Sequence, residues 1–200
     1  EYENFNAASG TVIVHGLNVH PGSAKNKMRN ASLVAMEFAG MLPPAETPAH
    51  TEGYEGFFHL CDMRGDEERA ELHYIIRDHD RAHFESRKQA FERIGAYLND
   101  KYGSGVVETI VKDSYFNMRE IMEQHMDVIE RAESAYRAVG VNPYAEAIRG
   151  GTDGARLSFM GLPCPNLATG GMNYHGRFEC IAIQDMDTMV DMLVHLVEVK

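Results

Sequence analysis

Apolar positions along the first half of the chain change period in a regular order. Val12-Ile13-Val14 is a short apolar run of strand type. Between Asn26 and Leu42, the residues Ala31, Val34, Ala35, Phe38 and Leu42 recur at the spacing of one helix face. Pro43-Pro44 stops that helix, because proline has no backbone N–H to continue it. Gly56-Phe57-Phe58-His59-Leu60 and Ala70 to Arg77 read as two strands across a charged Arg64-Gly65-Asp66-Glu67 turn, and in the second Leu72, Tyr74 and Ile76 alternate onto one face. Asp80 is an N-cap ahead of Phe84, Ala90, Phe91, Ile94 and Leu98, Gly103 closes that helix, and Val106 to Val111 supplies a last strand. The order β-α-β-β-α-β predicts a ferredoxin-like α+β unit over residues 10–113: a four-stranded antiparallel sheet with two helices.

After Asp113 the pattern changes. Met118, Ile121, Met122, His125, Ile129, Ala132, Tyr136 and Val139 predict one helix of about six turns. A glycine-rich stretch follows, then short apolar strands around Pro165-Asn166-Leu167 and Phe178 to Ile183. A final helix begins near Asp185 and buries Met186, Met189, Val190, Leu193 and Val197. Alternation of helix and strand is an α/β signature, so residues 1–9 and 114–200 read as part of one α/β domain with the first unit inserted in it. There are no internal repeats and no low-complexity segment.

Composition narrows the partners. Two hundred residues, 44% of them hydrophobic, suffice for one large or two small globular units. A net charge of -11, from 30 acidic and 19 basic residues with no basic cluster, repels phosphate backbones and anionic lipids, so neither nucleic acid nor a membrane is an expected partner. Apolar runs such as Thr11 to Val14 are far too short to span a bilayer, and the first residues do not read as an export signal. Cys61, Cys164 and Cys180 are odd in number and widely spaced, which predicts neither a disulfide framework nor a cysteine zinc site and fits a reducing cytoplasm.

Two nearby stretches carry the densest chemistry. In Ile148-Arg149-Gly150-Gly151-Thr152-Asp153-Gly154-Ala155-Arg156, three glycines free the backbone to wrap closely around a small ligand, with Gly151, Thr152 and Asp153 able to bind it or to orient the loop. The stretch lacks the GK[ST] ending of a phosphate loop and the GxGxxG spacing, so nucleotide binding is a weak alternative. In Asn173-Tyr174-His175-Gly176-Arg177-Phe178-Glu179, a lone imidazole is either a metal ligand or an ordinary loop residue. His20, between Val19 and Pro21-Gly22, sits on a corner stiffened by proline; His15 could pair with it around a metal, but no carboxylate is suitably spaced. Arg77 ends its strand on the face opposite Leu72, Tyr74 and Ile76, placed either to clamp a carboxylate or to pair with Asp78 or Asp80. Arg149 is open to the same two readings, clamp or helix-capping cation. His50, His59, His73, His79, His83, His125 and His195 are scattered and read as surface or core residues.

The stretches Tyr2-Glu3-Asn4-Phe5-Asn6-Ala7-Ala8-Ser9, Val19-His20-Pro21-Gly22-Ser23-Ala24-Lys25, Tyr74-Ile75-Ile76-Arg77-Asp78, the glycine stretch and the His175 stretch together resemble the C-terminal half of the peptidase T family. These are cytosolic tripeptide aminopeptidases among the co-catalytic di-zinc metallopeptidases, and the likeness runs from Glu1 to Lys200. It implies that residues 10–113 are the lid or dimerisation domain, and that residues 1–9 and 114–200 are the C-terminal part of the zinc peptidase catalytic domain. It further implies that His175 is a zinc ligand, that His20 stabilises the oxyanion, and that Arg77, Arg149, Gly151 and Thr152 bind substrate. A complete active site would hold two zincs, with at most one ligand in this chain. The other ligands and the catalytic glutamate belong to a preceding half of the catalytic domain, so the chain alone is expected to be inactive. A tripeptide substrate and a homodimer formed through the lid are the implied partners. Alternatives are another acyl-amino hydrolase of the superfamily, of aminoacylase or carboxypeptidase type, and a non-catalytic binding or dimerisation module.

Overall fold

The computed structural model describes residues 1–198; Val199 and Lys200, the end of the predicted second region, lie outside the described residues. In chain order the elements are β1 (Glu3–Asn4), β2 (Asn6–His15), a 3-10 turn (Pro21–Ser23), α1 (Ala31–Met41), β3 (Phe57–Gly65), β4 (Arg69–Asp78) and α2 (Arg81–Tyr102). They continue with β5 (Val107–Tyr115), α3 (Arg119–Met122), α4 (Met126–Ala138), β6 (Ala147–Ile148), α5 (Asp153–Phe159) and α6 (Ile183–Glu198). Two compact units result, an inserted one over Phe5–Phe116 and a flanking one made of Glu1–Asn4 with the described residues from Asn117 onward.

The inserted unit is the predicted β-α-β-β-α-β arrangement. Its strands lie in the order β3-β4-β2-β5, every neighbouring pair antiparallel. The alternation of β4 puts Ala70, Leu72, Tyr74 and Ile76 on the face covered by α1 and α2. There they join Val12, Val14, Val34, Ala35, Phe38, Phe84, Phe91 and Leu98 in one core. At about 25 cal/mol per Å² of apolar surface removed from water, such a cluster is the main stabilising term of the unit. The ends of the helices are satisfied locally: Asn30 Oδ1 accepts from the Leu33 N–H, and Asp80 Oδ1 from the His83 N–H at 2.8 Å.

Strand β2 is much longer than the Val12-Ile13-Val14 run. It extends back through Gly10, Ser9, Ala8 and Ala7 because both flanking strands hydrogen-bond to it there. Helix α1 starts at Ala31 rather than near Asn26: residues 24–28 form turns, with the Lys27 and Met28 N–H groups donating to Ala24 O, and Asn30 provides the cap.

The flanking unit departs further from its sequence pattern. The expected six-turn helix divides into α3 and α4, leaving helical geometry at His125 (φ -135°, ψ 41°). Glu123 to Asp127 are all exposed, so no apolar side chain ties that stretch to a core. Asn4 and Asn117, which bracket the insertion in sequence, lock together: the Asn4 N–H donates to Asn117 Oδ1 at 3.1 Å, and Asn4 Oδ1 accepts from the Met118 N–H at 2.9 Å. Strand β1 pairs with β6 in parallel, two residues on each side.

Neither Pro165-Asn166-Leu167 nor Phe178 to Ile183 forms a strand among the described residues. The Asn166 N–H instead donates to Glu1 O at 2.8 Å, and the second stretch contributes an isolated bridge between Met172 and Cys180. Helix α6 packs against α4 through Met192, Met189 and Leu196. Of the residues expected to be buried, Met186, Val190, Leu193 and Val197 are instead 50%, 60%, 43% and 80% exposed. The helix is apolar on two faces, and α4 covers one of them.

Candidate functional site

Each candidate is positioned by its own unit. In the inserted unit, His20 is the N-cap of the 3-10 turn: its Nδ1 accepts from the Gly22 N–H at 3.1 Å, while the ring is exposed. A backbone N–H can only donate, so Nδ1 is unprotonated and a neutral imidazole carries its proton on Nε2. The corner therefore presents an outward N–H donor. His15 lies at the end of β2, and among the described residues no group of three His, Cys, Asp or Glu could hold a metal ion anywhere in the chain.

Arg77 lies on the sheet face opposite the helices, as the alternation of β4 requires, and is half-buried. Its Nη1 donates to the Tyr115 hydroxyl, and its guanidinium sits over the Tyr115 ring, 4.8 Å from the centroid. Burial pulls the guanidinium below its ordinary pKa, with Tyr115 and Cys61 opposing that shift. The acids beside it in sequence are engaged elsewhere. Asp78 Oδ2 accepts from Arg87 Nε at 2.8 Å, and Asp80 caps α2. No carboxylate lies within ion-pair distance of Arg77 among the described residues, so a partly desolvated cation faces that side of the sheet with donors to spare.

In the flanking unit, Arg149 follows β6 directly and is half-buried, as is Gly150, while Gly151 is exposed. Thr152 is the N-cap of α5, its Oγ1 accepting from the Ala155 N–H at 3.2 Å. Gly154 is required by close packing: a Cβ there would lie 2.3 Å from the carbonyl oxygen of Cys164. The glycine stretch is thus a strand-to-helix turn pressed against the Cys164 segment.

His175 is exposed on a nine-residue loop closed by two hydrogen bonds, Met172 N–H to Cys180 O at 2.8 Å and Cys180 N–H to Met172 O at 3.1 Å. Its backbone is left-handed (φ 59°), as is that of Asn173 (φ 57°). Histidine and asparagine tolerate this region better than most residues, at a cost of about 1 kcal/mol or more. The His175 N–H donates to the Glu179 carboxylate at 3.2 Å, which leaves the imidazole to solvent. Among the described residues no three ligating side chains gather around His175, so what this loop could offer a metal ion is a single exposed imidazole.

Comparison with known proteins fixes the family. The sequence pattern of the family described as "Peptidase dimerisation domain" matches residues 2–106. The chain belongs to the peptidase dimerisation domain family. It is 53% identical over 198 residues, 99% of its length, to a protein named peptidase T from Caldanaerobacter subterraneus subsp. tengcongensis, of which it covers 48%. Its fold is that of a tripeptidase from Staphylococcus aureus (TM-score 0.83, 15% identity, 98% of this chain and 52% of the other). An aminopeptidase PepT from Bacillus cereus is also similar (TM-score 0.76, 19% identity, 98% and 52%). The chain therefore spans about half the length of the curated relatives it matches. Residues of this dimerisation-domain chain that the sequence pattern did not single out include Tyr115, since its approach to Arg77 depends on strand register.

Proposed function

We propose that this chain forms part of a zinc-dependent tripeptide aminopeptidase of the cytoplasm that releases the N-terminal residue of its substrate. The observation that carries the reading is 53% identity to a peptidase T maintained across 99% of the chain, through both units. When bound, a pair of zinc ions would supply a water nucleophile at neutral pH and a Lewis acid. The chain's own residues do the rest of what is assigned to it. His175 would hold one of these ions through its single imidazole. His20, with its proton held on Nε2 by the Gly22 contact, donates a hydrogen bond to the oxyanion that forms at the scissile carbonyl. Arg77 binds the C-terminal carboxylate of the tripeptide, and a guanidinium fork that has no carboxylate partner among the described residues supports that role. Arg149, Gly151 and Thr152 line the backbone turn that holds the peptide.

The assigned partner is a second copy of the chain, through the dimerisation unit, and the three free cysteines are consistent with a reducing compartment. Among the described residues no helix is long and apolar enough to cross a membrane.

The test compares the full-length protein, taken to the length of its peptidase T relatives, with this 200-residue chain, each incubated with zinc and a tripeptide. The full-length protein should release the N-terminal amino acid and the chain alone should release none above buffer. Turnover by the chain alone, or none by the full-length protein, contradicts the reading.

A further inference from the structure

The register of the inserted sheet places one side chain where sequence spacing would not. In β2 and β4, Ala7 pairs with Arg77, and in β3 and β4, Phe57 pairs with Arg77. Along β2 and β5, Ala8 pairs with Asp113 but Ala7 pairs with Tyr115, so the ladder shifts by one residue and Ser114 is the extra member of a β-bulge. Without the bulge, Ser114 would stand opposite Ala7 and Tyr115 would turn to the helix-covered face. With it, Phe57, Arg77, Ala7 and Tyr115 form one row across four strands on the open face. Ala7 is the small member, and over it the Arg77 side chain reaches across a strand to the Tyr115 ring and hydroxyl.

We propose that Tyr115 is a positioning residue for Arg77: it fixes the guanidinium plane so that the remaining donors present a two-pronged face to a carboxylate. The proposal rests on the reading of Arg77 as the substrate clamp. The phenol ring supplies a cation–π contact, and its oxygen accepts one N–H, leaving four of five donors for an anionic ligand. A long arginine side chain loses considerable rotamer freedom when it binds, and holding it beforehand removes that cost from substrate binding. Burial raises the pKa of the Tyr115 hydroxyl, partly offset by Arg77, so it stays a neutral acceptor at working pH.

The experiment measures kcat and KM of the full-length protein with a tripeptide and with its C-terminal amide. The proteins compared are wild type, Tyr115→Phe, Arg77→Ala and the double variant. Arg77→Ala should lower kcat/KM for the acid by about 30- to 1,000-fold and for the amide far less. Tyr115→Phe, which keeps the ring and loses the acceptor, should lower it by about 5- to 20-fold for the acid, chiefly through KM. It should leave the amide unchanged and add nothing in the Arg77→Ala background. Equal losses on acid and amide, or a full additional loss in the double variant, overturn the positioning role while leaving Arg77's own preference intact. An Arg77→Ala variant that does not distinguish acid from amide removes the clamp, and the role of Tyr115 with it.

Discussion

Gly10 sits in the middle of β2, under the ring of Phe91, and replacing it tests how tightly the inserted core is closed. An added Cβ would lie 2.8 Å from Phe91 Cζ, 3.0 Å from Cε1 and 3.3 Å from Ile76 Cδ1. Carbon atoms prefer about 3.5 to 4.0 Å, so the ring would have to retreat by roughly 1 Å. It has nowhere to go: Phe91 is fully buried, with ring centroids 4.9 Å from Phe38 and 5.4 Å from Tyr74. Overpacking of this kind costs about 1 to 3 kcal/mol, against about 0.5 to 1 kcal/mol recovered because alanine gives up less backbone freedom than glycine. Because Phe91 is boxed in, the overpacking cost falls in the upper part of that range, about 2 to 3 kcal/mol, and Gly10→Ala should destabilise the unit by about 1 to 2.5 kcal/mol net. Phe91→Leu alone should also destabilise, by opening a cavity, yet in the double variant the alanine methyl fills that space. The coupling should then be at least about 1 kcal/mol in the favourable direction. Urea unfolding of the 200-residue chain, followed by far-UV circular dichroism for the wild type, both single variants and the pair, measures all four corners. A neutral or stabilising Gly10→Ala, or strictly additive losses, would refute the packing argument.

Other outcomes follow from the same geometry. His20→Ala in the full-length protein should lower kcat by about 100- to 1,000-fold with little change in KM, the signature of a donor used at the transition state; a KM effect alone would reassign the residue to ground-state binding. Helix α1 carries a single charged residue, Glu37, and leaves Leu33 63% and Met36 59% exposed, so self-association should occur through this flank. Light scattering at micromolar concentration should report a dimer that Leu33→Glu with Met36→Lys weakens; a monomer at every concentration tested speaks against it. Thr152→Ala removes the α5 cap and should cost about 1 kcal/mol of stability in the flanking unit, read as a lowered unfolding midpoint, whereas no change would mean the cap is not formed in solution.

Legibility in the sequence followed how much of each element's environment lies within the chain. Leu72, Tyr74 and Ile76 announce β4, and Asp80 and Gly103 bracket α2 to within a residue, because alternation and capping are local properties. Residues 6–10 of β2 carry no strand signature. They are small or polar, and the ladders to β4 and β5 hold them extended. The buried face of α6 differs from its sequence pattern for another reason: Met186, Val190 and Leu193 have the right spacing, but the described residues provide no surface to receive them. His175, His20 and Arg77 stood out by residue type and neighbours. The left-handed backbone under His175, the tautomer of His20 and the bulge that turns Tyr115 toward Arg77 depend on contacts that no short window of sequence encodes.

The most direct test of the account is zinc content measured together with tripeptide turnover in the full-length protein and its His175→Ala variant. One imidazole removed from a four- or five-coordinate site opens the coordination shell without touching any of the three hydrophobic clusters, because His175 is an exposed loop residue. Wild type should hold two zinc ions per chain, as the peptidase T reading implies, and release the N-terminal residue. The variant should keep an unchanged unfolding midpoint, lose most of one zinc equivalent and lose nearly all turnover. Two tightly held zincs with normal turnover in His175→Ala would contradict the assignment of this loop to the metal centre.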